Sequence, residues 1–147
     1  MPSGVDFQNL STKRLDEAKA LLAVGMSEGA FYLAGYAVEC ALKAVACKTL
    51  DIEIFNQNAE INKGFKTHRI DHLIVLAGLS NKLSAYCSLN GPFQVTVNEF
   101  VNPPTNVQTW GAWTEEARYN MNPCNPAVAT TFVSNVETFI TWLKNHW

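Results

Sequence analysis

Ser27-Glu28-Gly29-Ala30-Phe31-Tyr32-Leu33-Ala34-Gly35-Tyr36-Ala37-Val38-Glu39-Cys40-Ala41-Leu42-Lys43-Ala44-Val45-Ala46-Cys47-Lys48-Thr49 is the longest uninterrupted helical pattern in the chain. Ala30, Ala34, Ala37, Ala41 and Ala44 recur at alternating steps of four and three, which sets a stripe of small side chains along one face. Such a stripe lets another helix approach closely. Tyr32, Tyr36, Glu39 and Lys43 form a second stripe at the same spacing. Glu39 and Lys43 stand in the favourable i, i+4 order, worth about 0.2 to 0.5 kcal/mol on an exposed face. Yet Glu39 is the only acid between Glu28 and Asp51, and its neighbours Ala37, Val38, Cys40, Ala41 and Leu42 are core types. A solvated face and a buried carboxylate both remain open on this pattern.

The flanking sequence extends the helical reading in both directions. Leu10-Ser11-Thr12-Lys13-Arg14-Leu15 has the form of a helix start with Ser11 as N-cap and Leu10 stapled to Leu15, which predicts a first helix over 12–24. Gly25 suits the left-handed C-terminal position, and Ser27 caps the long second helix to about Thr49. Residues 51–67, with Asn56, Gln57, Asn58, Asn62 and Gly64, read as a loop tucked down by Ile52, Ile54 and Phe55. A helix resumes with Ile70, Leu73, Ile74, Leu76 and Ala77 and ends at Gly78, and Ser80 caps a continuation that Gly91-Pro92 breaks. Phe93, Val95 and Val97 alternate like a strand, while Phe93, Val97, Phe100 and Val101 fit a helix. One strand without a partner is not a sheet, so 93–101 is assigned as helix. Pro103-Pro104 closes it, and a loop carries Trp110 and Trp113 to Thr114-Glu115-Glu116, a cap followed by acids. Asn125 as N-cap and Pro126 at the first position open the last helix, whose apolar set is Val128, Phe132, Val136, Phe139, Ile140 and Leu143. The expectation is an all-α, up-and-down bundle of about four to six helices in one domain, residues 1–147.

Composition narrows the function. Of 147 residues, 48% are hydrophobic and 16% charged, enough apolar material for a packed core. A net charge of −2 argues against coating nucleic acid or anionic membrane by bulk electrostatics, so phosphate contacts would be local. No run reaches the roughly 18 consecutive apolar residues of a spanning helix, and the first residues lack a leader pattern, so the expectation is a cytoplasmic protein outside the membrane. Cys40, Cys47, Cys87 and Cys124 form no Cys-x-x-Cys pair and have no His at zinc-finger spacing. Reduced buried thiols, no metal and no cofactor are expected.

Ala34-Gly35-Tyr36-Ala37-Val38-Glu39-Cys40-Ala41-Leu42-Lys43-Ala44 resembles the second-helix signature of the HEPN family. His72-Leu73-Ile74-Val75-Leu76-Ala77-Gly78-Leu79 is similar to its His-Leu segment, and Trp113-Thr114-Glu115-Glu116-Ala117-Arg118-Tyr119 to its Trp-x4-Arg-Tyr motif. The resemblance covers nearly the whole chain. It implies a helical bundle, usually homodimeric, associated with nucleotide or RNA metabolism. Some members are metal-independent endoribonucleases with an Arg-x4-6-His motif, and others serve as binding partners or substrate-binding halves of nucleotidyltransferases. Here the arginines are Arg14, Arg69 and Arg118 and the histidines His68, His72 and His146, and none stand at that spacing.

Metal-independent RNA cleavage needs a base for the 2′-hydroxyl proton and a cation for the phosphorane. His72 and Arg118 are the candidate pair. The plainer alternative is a structural network of Glu39, Lys43, Arg118 and His72 bracing the bundle, since a buried Arg needs a carboxylate partner. Lys63, Lys66, His68 and Arg69, with His72, make the only basic cluster, a set of phosphate contacts or a solvated loop. Trp110, Trp113 and Tyr119 would stack on a base or seal one end of the bundle. The leading expectation is a non-catalytic binding module for nucleotide or RNA, or a nucleotidyltransferase partner, acting as a homodimer. A metal-independent endoribonuclease, the toxin of a toxin and antitoxin pair, is one alternative, and a structural homodimeric scaffold is the other.

Overall fold

The computed structural model describes residues 2–51, 53, 66–102 and 110–147. Among them are six α-helices and no strand: α1 (Gly4–Ala23), α2 (Ser27–Leu50), α3 (Ile70–Leu76), α4 (Ser80–Leu89), α5 (Gly91–Val101) and α6 (Pro126–Leu143), with a 3₁₀ turn at Glu115–Tyr119 before α6. The all-α expectation holds, including the helix over 93–101. There Asn90 accepts from the Phe93 amide and Pro92 stands in the first turn, so the same Gly-Pro pair that ends α4 opens α5.

Helix α1 starts at Gly4 and not at 12, because Ser3 and Asp6 build a reciprocal capping box. The Asp6 amide donates to Ser3 Oγ at 3.1 Å, and the Ser3 amide donates to an Asp6 carboxylate oxygen at 2.8 Å. Ser11, the expected cap, lies inside the helix, fully buried, and its hydroxyl donates to the Ala37 carbonyl at 2.8 Å. It ties α1 to α2. Met26 occupies the N-cap position of α2 and Leu79 that of α4, neither with a side-chain bond, so Ser27 and Ser80 are first helical residues and not caps. Gly25 and Gly78 carry φ of +80° and +68°, and Asp51 closes α2 at φ 52°, so three turns use the left-handed region. Asn125 caps α6 as expected, accepting from the Ala127 amide at 2.8 Å.

Helix α2 is the central element. Every residue of its alanine stripe is buried, and the small side chains let α1 and α6 pack against it. From the other side α6 contributes Phe132, Val136, Phe139, Ile140 and Leu143, all buried. Aromatic rings link three helices: Phe31 of α2 stacks on Phe132 of α6 at 4.0 Å between centroids, and Phe100 of α5 lies 5.6 Å from Phe132. The alanine stripe of α2 and all of the apolar set of α6 except the exposed Val128 are thus buried inside the protomer. An 18-residue window of α2 reaches a mean hydropathy of 1.3, enough for a spanning helix, but 78% of that window is buried against the rest of the chain, the disposition of a core helix.

All four cysteines are buried. Burial, reinforced by the Glu39 charge, pushes the Cys40 thiol up to about 12. The expected contacts of Ile52, Ile54 and Phe55 lie outside the described residues.

Candidate functional site

The second stripe of α2 is where polar chemistry collects. Running from Tyr32 to Lys43 it is about 16 Å long at 1.5 Å per residue. Its floor is made by one close approach. Trp113 is buried, donates its backbone amide to the Glu99 carbonyl at 2.9 Å and its indole N–H to the Tyr32 carbonyl at 3.1 Å, and lies flat on α2 at Gly35. A Cβ at position 35 would fall 2.1 Å from the Trp113 indole nitrogen, so only glycine admits the ring. Trp113 therefore seals the bundle. Trp110 does the same at its edge, meeting Phe31 edge-on and donating to the Asn122 carbonyl at 2.9 Å.

Above that floor Tyr32 and Tyr36 stand half-buried with their rings nearly parallel, 6° apart and 6.4 Å between centroids. An arginine flanks each end. Arg14 of α1 lies 6.0 Å from the Tyr36 ring centre and is paired with Glu17. Arg118 of the 3₁₀ turn sits 4.9 Å over the ring of Tyr119, and the Tyr32 hydroxyl beside its guanidinium raises its pKa further. Both Arg118 and Tyr119 are exposed.

At the other end of the stripe Glu39 is 1% exposed. One oxygen, Oε1, accepts from Lys43 Nζ at 2.6 Å and faces His68 Nδ1 at 2.9 Å, while Oε2 is buried with no hydrogen-bond partner. Of the two readings of Glu39, the buried carboxylate is the one observed. Its partner is not Arg118. Lys43 is 11% exposed and spans the i, i+4 step, whereas His68 keeps 54% of its side-chain surface in solvent. Because the carboxylate only accepts, the bond requires the proton on Nδ1, which leaves Nε2 as the acceptor on the imidazole.

The remaining expected residues separate. No hydrogen bond or ion pair joins His72 to Arg118 among the described residues, and both are exposed, so the His72 and Arg118 pair and the bracing network that included them are not formed. The physical reason is that Arg118 follows the sealing Trp113 on a short surface turn, which points it at solvent and tyrosine. Of the basic cluster, Lys66 is exposed, Arg69 is bound by Asp71 at 2.6 Å, and Lys63 lies outside the described residues. Arg69 holds the Asp71 carboxyl below its usual range. Among the described residues no group of His, Cys, Asp and Glu is placed to hold a metal ion.

Sequence reasoning missed the His68 and Glu39 pair, whose members are 29 positions apart, and the pairing of Gly35 with Trp113. The one available signal was Glu39 itself, an acid in a run of core types. No family model matches the chain, and no curated protein or solved structure matches it either.

Proposed function

We propose that this chain is a helical binding module for a phosphate-bearing ligand, a nucleotide or single-stranded RNA, taken up on the α2 face beside the 3₁₀ turn. One observation carries the reading. Arg118 is the one arginine without a carboxylate partner among the described residues, since Arg14 has Glu17 and Arg69 has Asp71. It is exposed, and it is held between the Tyr32 hydroxyl and the Tyr119 ring. An unneutralised guanidinium offers a bidentate fork to phosphate, and an exposed tyrosine offers a stacking surface for a base. The acidic balance of the chain confines phosphate attraction to such local points. A homodimeric state and a nucleotidyltransferase partner belong to the same proposal and rest on the resemblance alone.

The test is fluorescence anisotropy of a labelled ten-nucleotide RNA at low salt, with adenosine mononucleotides as competitors. Arg118→Ala and Tyr119→Ala should each weaken binding about five- to tenfold or more, the size of one lost stacking or phosphate contact. Undiminished affinity in both variants would remove this face as the site.

A second reading, a metal-independent endoribonuclease, is favoured by a different observation, the imidazole of His68 carried by the buried carboxylate of Glu39. In that reaction His68 Nε2 takes the 2′-hydroxyl proton, the O2′–P bond forms, the P–O5′ bond breaks, water gives O5′ its proton, and the imidazolium returns its proton to the hydroxide so formed, leaving a 2′,3′-cyclic phosphate and a 5′-hydroxyl. The arginine that follows His68 in the chain, Arg69, is engaged by Asp71 and not left to stabilise a phosphorane, which is why binding is preferred. Incubation with RNA in the presence of a chelator separates the two. Cleavage lost in His68→Ala but kept in His72→Ala would establish the enzyme, and intact RNA is the outcome expected of the binding module.

A further inference from the structure

A second site lies away from that face, where the first turns of α6 meet α5 and the start of α2. A cavity of about 310 Å³ opens there, at the small end of the range of ligand pockets. Phe31 and Phe132 are its buried walls, and Ala127, Val128 and Thr131, all exposed, form its mouth. Among the described residues Glu99 is the only ionisable one that lines it.

The carboxyl of Glu99 is incompletely satisfied. Oε1 accepts from Asn135 Nδ2 at 3.2 Å, and Oε2 is buried with no partner among the described residues. A carboxylate has about four acceptor positions, and leaving one oxygen dry and unpaired is costly. Asn135 is neutral, and no ion pair among the described residues reaches Glu99. The cavity therefore combines apolar and aromatic walls with one unmet demand for a cationic donor. A bare metal ion fits poorly, because one carboxylate and the Thr131 hydroxyl fall far short of the roughly six oxygens that calcium or magnesium requires. An anion is excluded by the sign of the charge.

We propose that this cavity binds a small primary amine carried on an apolar or aromatic body, with its ammonium taken by Glu99 and its body lying along the edge of the stacked Phe31 and Phe132 pair and against Val128. The site is separate from the α2 face, so its fate is independent of the nucleotide reading.

The experiment uses the full chain in amide-resolved NMR titrations with benzylamine and with benzyl alcohol, a neutral counterpart of nearly the same shape, at about pH 8, where amine and carboxyl are both ionised. Benzylamine should give saturable shifts at the Gly111 and Val128 amides and bind about tenfold or more tightly than the alcohol, the difference expected of a hydrogen bond to a charged group. Glu99→Gln should erase that difference. Val128→Trp, which fills the mouth from an exposed position, should abolish binding of both. Equal binding of amine and alcohol, an amine preference that survives Glu99→Gln, binding that survives Val128→Trp, or no saturable shift at all would each overturn the proposal.

Discussion

Glu39 and Glu99 are both drawn into the helical interior, and each keeps one oxygen without a partner, but their environments act on them differently. Glu39 has Lys43 and His68 on its other oxygen. Removing the carboxylate breaks a 2.6 Å ion pair with a largely buried ammonium, and Glu39→Ala is expected to cost about 2 to 3 kcal/mol, below the full penalty for breaking a buried pair because Lys43 retains some exposure. Urea melts of the two proteins measure it, and a loss under about 0.5 kcal/mol, the range of ordinary surface changes, would contradict it. Among the described residues Glu99 meets no cation, and burial pushes its carboxyl up from 4.5 to about 7. Between those two values the folded chain holds a proton that the unfolded chain has released. The contribution is therefore fully present below about pH 4.5 and is lost as pH rises through about 7. With allowance for the part of the group that solvent still screens, about 1 to 2 kcal/mol should disappear across that window. Stability measured from about pH 5 to pH 8 in wild type and in Glu99→Gln tests it, since the variant should lack this component.

Helix ends and helix contacts account for the next scale. The capping box of α1 satisfies amides that would otherwise be left open at the start of a 20-residue helix. Ser3→Ala should cost about 1 kcal/mol, and Ser11→Ala, which removes a buried interhelical bond and not a cap, a similar amount by a different route. The contact of α2 with the 3₁₀ turn is less forgiving. Gly35→Ala would drive a methyl into the Trp113 ring at 2.1 Å from its nitrogen, and a residue held by its indole N–H and by its backbone amide cannot step aside cheaply. A loss of about 2 to 3 kcal/mol or more is expected. Trp113→Leu should recover part of it in the Gly35→Ala background, because the two positions share one volume. Additive losses in that double-mutant cycle would show that the clash is relieved elsewhere.

Across the whole molecule the thiols report on cooperativity. Cys40 and Cys47 on α2, Cys87 on α4 and Cys124 ahead of α6 are all buried, and burial raises the pKa of Cys40, Cys87 and Cys124. Thiolate is the reactive form, so the native chain should resist a thiol-specific chromogenic disulfide at about pH 8 and release all four groups on unfolding. Rapid reaction of Cys40 in the folded state would show that α2 is not a closed centre.

The helical class, the run of α2, the Asn125-Pro126 start of α6 and the glycine stops at Gly25 and Gly78 were legible in the sequence, because each depends on side chains within one turn of one another. The start of α1 was legible too, but in Ser3 and Asp6 and not in Ser11, whose hydroxyl serves a helix that the local pattern does not reveal. The burial of Glu39 was foreshadowed by its neighbours. Its partner was not, since residue type alone favoured an arginine, and the arginine of the Trp-x4-Arg-Tyr string is turned outward by the way Trp113 wedges against Gly35. Spacing along one helix thus determined which residues share a face. Only the packing of distant segments decided that His68 and not Arg118 meets Glu39, that the alanine stripe of α2 is buried within the protomer, and that Glu99 faces an apolar cavity, because burial and pairing are properties of what the chain brings together across space.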